Sequence, residues 1–212
     1  MQFDVTVRSP LPDWLTGLAA PHGNPGGGAA GAVALAMAAA LCEMVAGYPP
    51  VGDSDGDALA VIAERGRQSR EHALVLADAD GDASIAFAEA YRLPEGSERA
   101  AAVTAASLAA ADSAAAVARK AIALSELVLE LEVVGPPILW SDVAIAAALV
   151  RTAIVSARVN IGVGVAAVDA AQVNGHGADT SYLITLLDEC AAAIARLDGT
   201  LERLDARLTA PR

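Results

Sequence analysis

The sequence predicts an all-α protein: an antiparallel bundle of about five long helices with a short N-terminal helix and an arm. Three observations carry that prediction. Apolar residues make up 55% of the chain and aromatics only 3%, so the core is built from Ala, Val and Leu, and a sheet would lack the side chains strands favour. Long stretches repeat apolar residues at helical spacing. Between them lie Gly- and Pro-bearing breaks of a few residues, which lay each helix back along its predecessor. At 212 residues the chain suffices for one domain with a full core, read as an arm over residues 1–9 and a single bundle over 10–212.

Each element follows from local chemistry. Met1 to Ser9 alternates apolar residues without a partner strand, and is expected to lie as an arm over the bundle. A short helix follows Pro12, with Trp14, Leu15 and Leu18 on its buried side. The first long helix starts at the glycines after Pro25 and ends near Gly47 and Pro49-Pro50. A second runs from Ala58 to Leu93, with Gly81 as a candidate interruption, until Pro94-Glu95-Gly96 breaks it. Ser97 opens a third, to Val134, stopped by Gly135-Pro136-Pro137. Ser141-Asp142 is a candidate N-cap for a fourth reaching about Val173. Asn174 to Gly177 is the next stop, and Asp179-Thr180 begins a last amphipathic helix through Leu208.

Net charge is −12, which argues against nucleic acid and anionic membrane surfaces as partners. The opening MQFDVTVRSP has neither the basic start nor the apolar core of a secretory leader. The longest uncharged run, ending before Glu43, reads as about 15 residues, short of the ~20 that span a bilayer. A soluble, cytoplasmic protein is expected. Cys42 and Cys190 show no metal-ligand spacing and read as buried thiols, with their pairing left open.

The stretch Pro21 to Gly47 organises the rest. Pro25-Gly26-Gly27-Gly28 cannot be regular structure, yet it feeds straight into an apolar helix. A glycine turn feeding a helix leaves N–H groups unpaired and adds the positive end of the dipole, so it suits an anion or a carbonyl oxygen. The triplet alone serves equally to let one helix enter a crowded bundle, and it matches no known phosphate loop. His22, His72 and His176 fall in three unrelated contexts. Asp78, Asp80 and Asp82 cluster beside Gly81; Asp78 and Asp82 share a helix face and Asp80 points elsewhere. Asn160 is a lone amide in an apolar helix and must find a partner in backbone or ligand. Asn160, Gly164, Ala167 and Ala171 run along one face. The acidic loop Val51 to Asp57 lacks the closing glutamate of a calcium loop, so no metal site is expected.

In order along the chain, Pro25-Gly26-Gly27-Gly28, Asp78-Ala79-Asp80, the run Glu89 to Pro94, Gly135, Ser141-Asp142 and Val159-Asn160 resemble the cyclodeaminase/cyclohydrolase family. That family holds the cyclodeaminase domain of formimidoyltransferase-cyclodeaminase and the methenyltetrahydrofolate cyclohydrolases. The resemblance implies an all-helical homodimer, with a tetrahydrofolate derivative as substrate and no further cofactor. It implies a reaction in which a one-carbon bridge closes with loss of ammonia or opens with addition of water. By the same resemblance Asp80 and Asp142 are the candidate acid/base groups. Pro25, Gly26, Gly27, Gly28, Ser141 and Asn160 are the candidate substrate contacts. The chain departs from the family pattern at Ala29, Pro136 and Gly164, and in the acidic residues 52–57. Two alternatives stand beside the enzyme reading: a member that kept the fold but binds another small molecule, or folate without turnover, and an Ala-rich structural bundle.

Overall fold

In the computed structural model, residues 6, 8–21, 24–50, 56–172 and 178–210 are described. Six α-helices follow one another: α1 (Leu11–Leu18), α2 (Gly27–Ala46), α3 (Gly56–Tyr91), α4 (Ser97–Val134), α5 (Trp140–Gln172) and α6 (Ser181–Thr209). A 3₁₀ turn over Pro137–Leu139 leads into α5. The all-α expectation holds.

Contacts fix the directions. Gly28 of α2 lies against Asp80 late in α3, while Gly66 early in α3 lies against Ala39 and Glu43 late in α2, so the two run antiparallel. Arg65 of α3 reaches Glu130 late in α4. Gly164 late in α5 meets Ala111 early in α4, and Gly31 of α2 meets Ser156 of α5. Thus α2, α3, α4 and α5 close a four-membered ring, and α6 lies outside across α4 and α5. Small residues permit this closeness. A Cβ on Gly66 would sit 3.0 Å from the Glu43 backbone nitrogen, and alanines along α2, α4 and α5 are fully buried. Side chains this short let helix axes approach while keeping close packing.

Several expectations need correction. Leu15 is not on the buried side of α1; Trp14 is buried, Leu18 partly so, and Leu15 is exposed. Gly81 does not interrupt α3. It is the gap into which the Asn24 side chain fits, because any Cβ there would overlap that amide. Ser141-Asp142 is not an N-cap: α5 starts at Trp140, directly from the 3₁₀ turn, so both residues sit within its first turn. Asp142 there still complements the helix dipole. Most of the arm lies outside the described residues, but the Thr6 amide donates to Asp78 Oδ1 at 2.7 Å, and Trp14 Nε1 donates to Thr6 Oγ1 at 3.3 Å. His22, His176 and residues 51–55 also lie outside the described residues; His72 is exposed on α3.

The bilayer argument also fails. Gly27–Ala46, Ser97–Val134 and Pro137–Ala171 are each long and apolar enough to cross a membrane, by length and composition. The uncharged run before Glu43 extends from Trp14 to Cys42, well beyond the expected length. Within the apolar 18-residue stretch of each, 61% of the residues are buried in the first and 33% in each of the other two, so α4 and α5 keep outward apolar sides. Cys42 and Cys190 are free and buried, and burial pushes the Cys42 thiol up to about 12.

One buried charge ties α6 to the frame. Glu132 of α4 is 5% exposed and accepts from Arg203 Nε at 2.7 Å and Nη2 at 2.6 Å. Arg207 adds a contact at 3.3 Å. Hydrogen bonds from Arg203 hold this carboxyl below its ordinary value. Replacing both arginines by Met strands the buried carboxylate, at a cost of about 3 kcal/mol, the low end of the range because the arginines are half-exposed. Urea midpoints check it. A depressed carboxylate stabilises above its ordinary value of 4.5, and that contribution is lost as pH falls through the lower folded value. The double variant is expected to lose this part of the acid sensitivity.

Candidate functional site

Four helices, α2 to α5, wall the cavity that gathers the candidate residues. Helix α2 begins at Gly27 with Gly26 as N-cap and no side-chain cap from its own segment. Its first turn therefore needs partners for its N–H groups. Asp80, 9% exposed on α3, supplies one: its Oδ2 accepts from the Ala29 amide at 2.8 Å. The carboxylate lies across Gly28, where any Cβ would overlap it. A Cβ on Gly26 or Gly27, by contrast, meets nothing within 4 Å, so only the third glycine is required sterically. Ser156 of α5 donates from Oγ to the Gly27 carbonyl at 3.0 Å, fixing the turn from the other side.

Beside this turn opens a cavity of about 270 Å³ lined by Gly27, Gly28, Asp80, Asn160 and Gly164, with Ser84, Phe87, Ser107, Ala110, Val163 and Ala167 completing its wall. Burial raises the Asp80 carboxyl above its ordinary value, and the Ala29 hydrogen bond opposes that in part. A carboxyl in this state can hold or release a proton nearer neutral pH. Close by, Asn24 Oδ1 is buried without a hydrogen-bond partner, an acceptor unused by the fold.

The cavity continues past Ala167 into a groove of about 470 Å³ between α4 and α5, which holds Tyr91, Glu95 and Arg99 at its far end. The Arg99 guanidinium lies 5.4 Å from the Tyr91 ring centre, and Phe87 packs tilted against Tyr91, ring centres 4.9 Å apart. Arg99 is paired there with Glu95 at 3.8 Å, and the apolar, aromatic-edged slot suits an elongated ligand whose anionic tail could exchange for that exposed glutamate.

Of the residues singled out from the sequence, Gly27, Gly28, Asp80 and Asn160 meet around this cavity, with Pro25 and Gly26 leading into it. Ser141 and Asp142 do not join them within the chain. They open α5, eighteen residues before Asn160, which is about 27 Å along the axis. Of the acidic segment, Asp57 lies in the first turn of α3, about 35 Å from Asp80 at helical rise. Asp78 is occupied by the Thr6 amide, and Asp82 is exposed. Ser84 and Phe87 were overlooked, although they follow Asp80 by one and two helical turns and so share its face. Arg99 had no such signal, since it reaches the groove from another helix.

Comparison with known proteins bears on the family and the fold. A sequence profile described as formiminotransferase-cyclodeaminase matches residues 10–176. The crystal structure of formiminotetrahydrofolate cyclodeaminase from Thermotoga maritima superposes with a TM-score of 0.76 and is 26% identical in sequence. That match spans 95% of this chain and 96% of the other. No curated protein sequence matches the chain.

Proposed function

The chain belongs to the formiminotransferase-cyclodeaminase family, and from that premise we propose that it closes the one-carbon bridge of 5-formimino-tetrahydrofolate, expelling ammonia, in the Asp80 cavity. The observation that carries the reading is the buried Asp80 carboxyl, anchored on one oxygen by the Ala29 amide and lining an apolar cavity beside Asn160.

The reaction needs little more than one proton moved over a short distance. N10 attacks the formimino carbon, forming the N10–C bond. The N10 proton passes to Asp80 and from it to the departing nitrogen, the C–N bond to that nitrogen breaks, and ammonia leaves. The carboxyl ends as it began, and the protonated substrate becomes the methenyl cation. Burial, which raises the carboxyl's affinity for a proton, makes the transfer less uphill. When ionised, the same group faces a delocalised cation, and the dry wall strengthens that attraction. Asn160 offers an amide to orient the pterin, and Gly28 lets it approach backbone. Arg99, at the end of the adjoining groove, offers its charge to the carboxylates of the glutamate tail. The same acid/base group would serve hydration of the methenyl bridge, so the assay must separate the two. The reading includes a homodimer and a cytoplasmic location.

Two measurements test it. Incubation with 5-formimino-tetrahydrofolate should yield methenyl absorbance and stoichiometric ammonia. Methenyl loss faster than buffer without ammonia would assign hydration instead. Neither activity, with folate binding intact, would leave a non-catalytic binder.

A further inference from the structure

Hydroxyls inside helices commonly give their proton back to the carbonyl four residues earlier. Thr104 does so to Ala100 at 2.9 Å, and Ser107 to Val103 at 2.8 Å. Ser84 of α3 is different: among the described residues nothing accepts from its Oγ and nothing donates to it. It lines the Asp80 cavity, one turn beyond Asp80 on the same face of α3. The fold leaves this hydroxyl to whatever enters.

The other polar groups of the wall narrow what that is. Asp80 Oδ2 is held by the Ala29 amide, and the Gly27 carbonyl by the Ser156 hydroxyl. Ser107 has committed its proton to Val103 and keeps only lone pairs to offer. Among the described residues, Asp80 Oδ1 and Ser84 Oγ stay open. No Lys, Arg or His lines the cavity, and Phe87, Val163 and alanines complete it. One carboxylate, spare acceptor oxygens and no cation suit a planar cation that carries N–H groups. The free amides at the start of α2 leave a place for an oxygen elsewhere on the same ligand. Spacing sharpens the match. Cβ atoms four residues apart on a helix lie about 5–6 Å from each other. The two acceptors of one NH2 group, each about 2.9 Å from the nitrogen and about 120° apart, are separated by about 5 Å.

We propose that Asp80 Oδ1 and Ser84 Oγ together seat the terminal nitrogen of an amidinium group, each accepting one of its N–H bonds. Ser84 is then a specificity-determining residue that selects nitrogen over oxygen at that end of the ligand. The proposal rests on the Asp80 cavity being the working site, and it deepens the folate reading, in which the protonated formimino group is that amidinium. A ligand with oxygen in place of the nitrogen has no hydrogen to offer and sets its lone pairs against both acceptors. The same seat holds the departing nitrogen beside the carboxyl that protonates it.

Two pairs of probes test the seat by calorimetric titration. Benzamidine and acetophenone share a planar aromatic body and differ in carrying an amidinium or a bare carbonyl, with no folate part. The 5-formimino and 5-formyl derivatives of tetrahydrofolate make the same contrast on a folate. If the formimino compound is turned over, its kcat/KM and the inhibition constant of the formyl compound replace the titration. Wild type should favour the nitrogen member of each pair. Ser84→Ala should cut that preference about tenfold, the worth of one hydrogen bond to a charged group, with the oxygen members bound as before. Alanine is the better helix former, so α3 is kept. Ser84→Thr retains the acceptor oxygen and should restore the preference. A structural role for Ser84 would instead weaken both members of a pair alike. An unchanged preference in Ser84→Ala, or benzamidine bound no better than acetophenone, would overturn the proposal. Benzamidine held as expected, with neither folate bound, would fail the folate reading alone.

Discussion

Asp80→Asn is expected to lower turnover by about 10²–10⁴-fold, the contribution of a positioned acid or base, while the fold stays intact. Asparagine keeps the shape of the side chain and an oxygen to accept the Ala29 amide, so only the proton carrier is lost. Stability should move the other way. Burial raises the folded Asp80 carboxyl above its ordinary 3.8. Its favourable contribution is thus complete below that value and fades as pH rises through the folded one. At neutral pH the ionised carboxylate is a burden that the amide relieves. The variant should melt no lower than wild type at neutral pH, with the difference closing on acidification. Thermal melts at several pH values and initial rates settle both halves. A melting temperature clearly below wild type at neutral pH would make Asp80 a charged cap for α2 first and a reactive group second.

Gly164→Ala is expected to cost about 1–3 kcal/mol, although alanine is the better helix former. Its methyl group would lie 2.6 Å from Ala111 Cβ and 3.0 Å from the Ser107 carbonyl oxygen, so α4 and α5 would have to part. Gly162, two residues earlier on the same helix, has nothing within 4 Å of a Cβ position. Gly162→Ala should therefore stabilise by up to about 1 kcal/mol. Opposite shifts in the urea midpoints of the two variants would confirm that a helix contact, not backbone freedom, requires Gly164. Equal shifts would remove that explanation.

The same contact explains why the cavity was only half legible. Periodicity and breakers located every long helix to within a few residues, because alternation of apolar runs with Pro and Gly is a local property. Asp80 and the glycine triplet stood out by local oddity, a carboxylate in an apolar stretch and a run of glycines feeding straight into an apolar helix. What local pattern cannot carry is which ends meet. Asp142 shared its residue type and family order with Asp80 yet sits at the other end of α5. Gly164, one of the departures from the family pattern, is a place where any side chain would run into α4. Gly81 looked like a break because its partner, Asn24, lies 57 residues away in sequence.

The two indoles occupy opposite ends of the bundle. Trp14 sits under α1 at the cavity end, hydrogen-bonded to Thr6, and Trp140 sits at the start of α5 with Arg207 5.0 Å from its ring centre. Because no other tryptophan is present in the chain, emission from Trp14→Phe and Trp140→Phe variants reads each end on its own. Ligand entering beside Gly28 should perturb the Trp14 signal and leave Trp140 quiet. Acid release of Glu132 from its arginines should reverse that pattern.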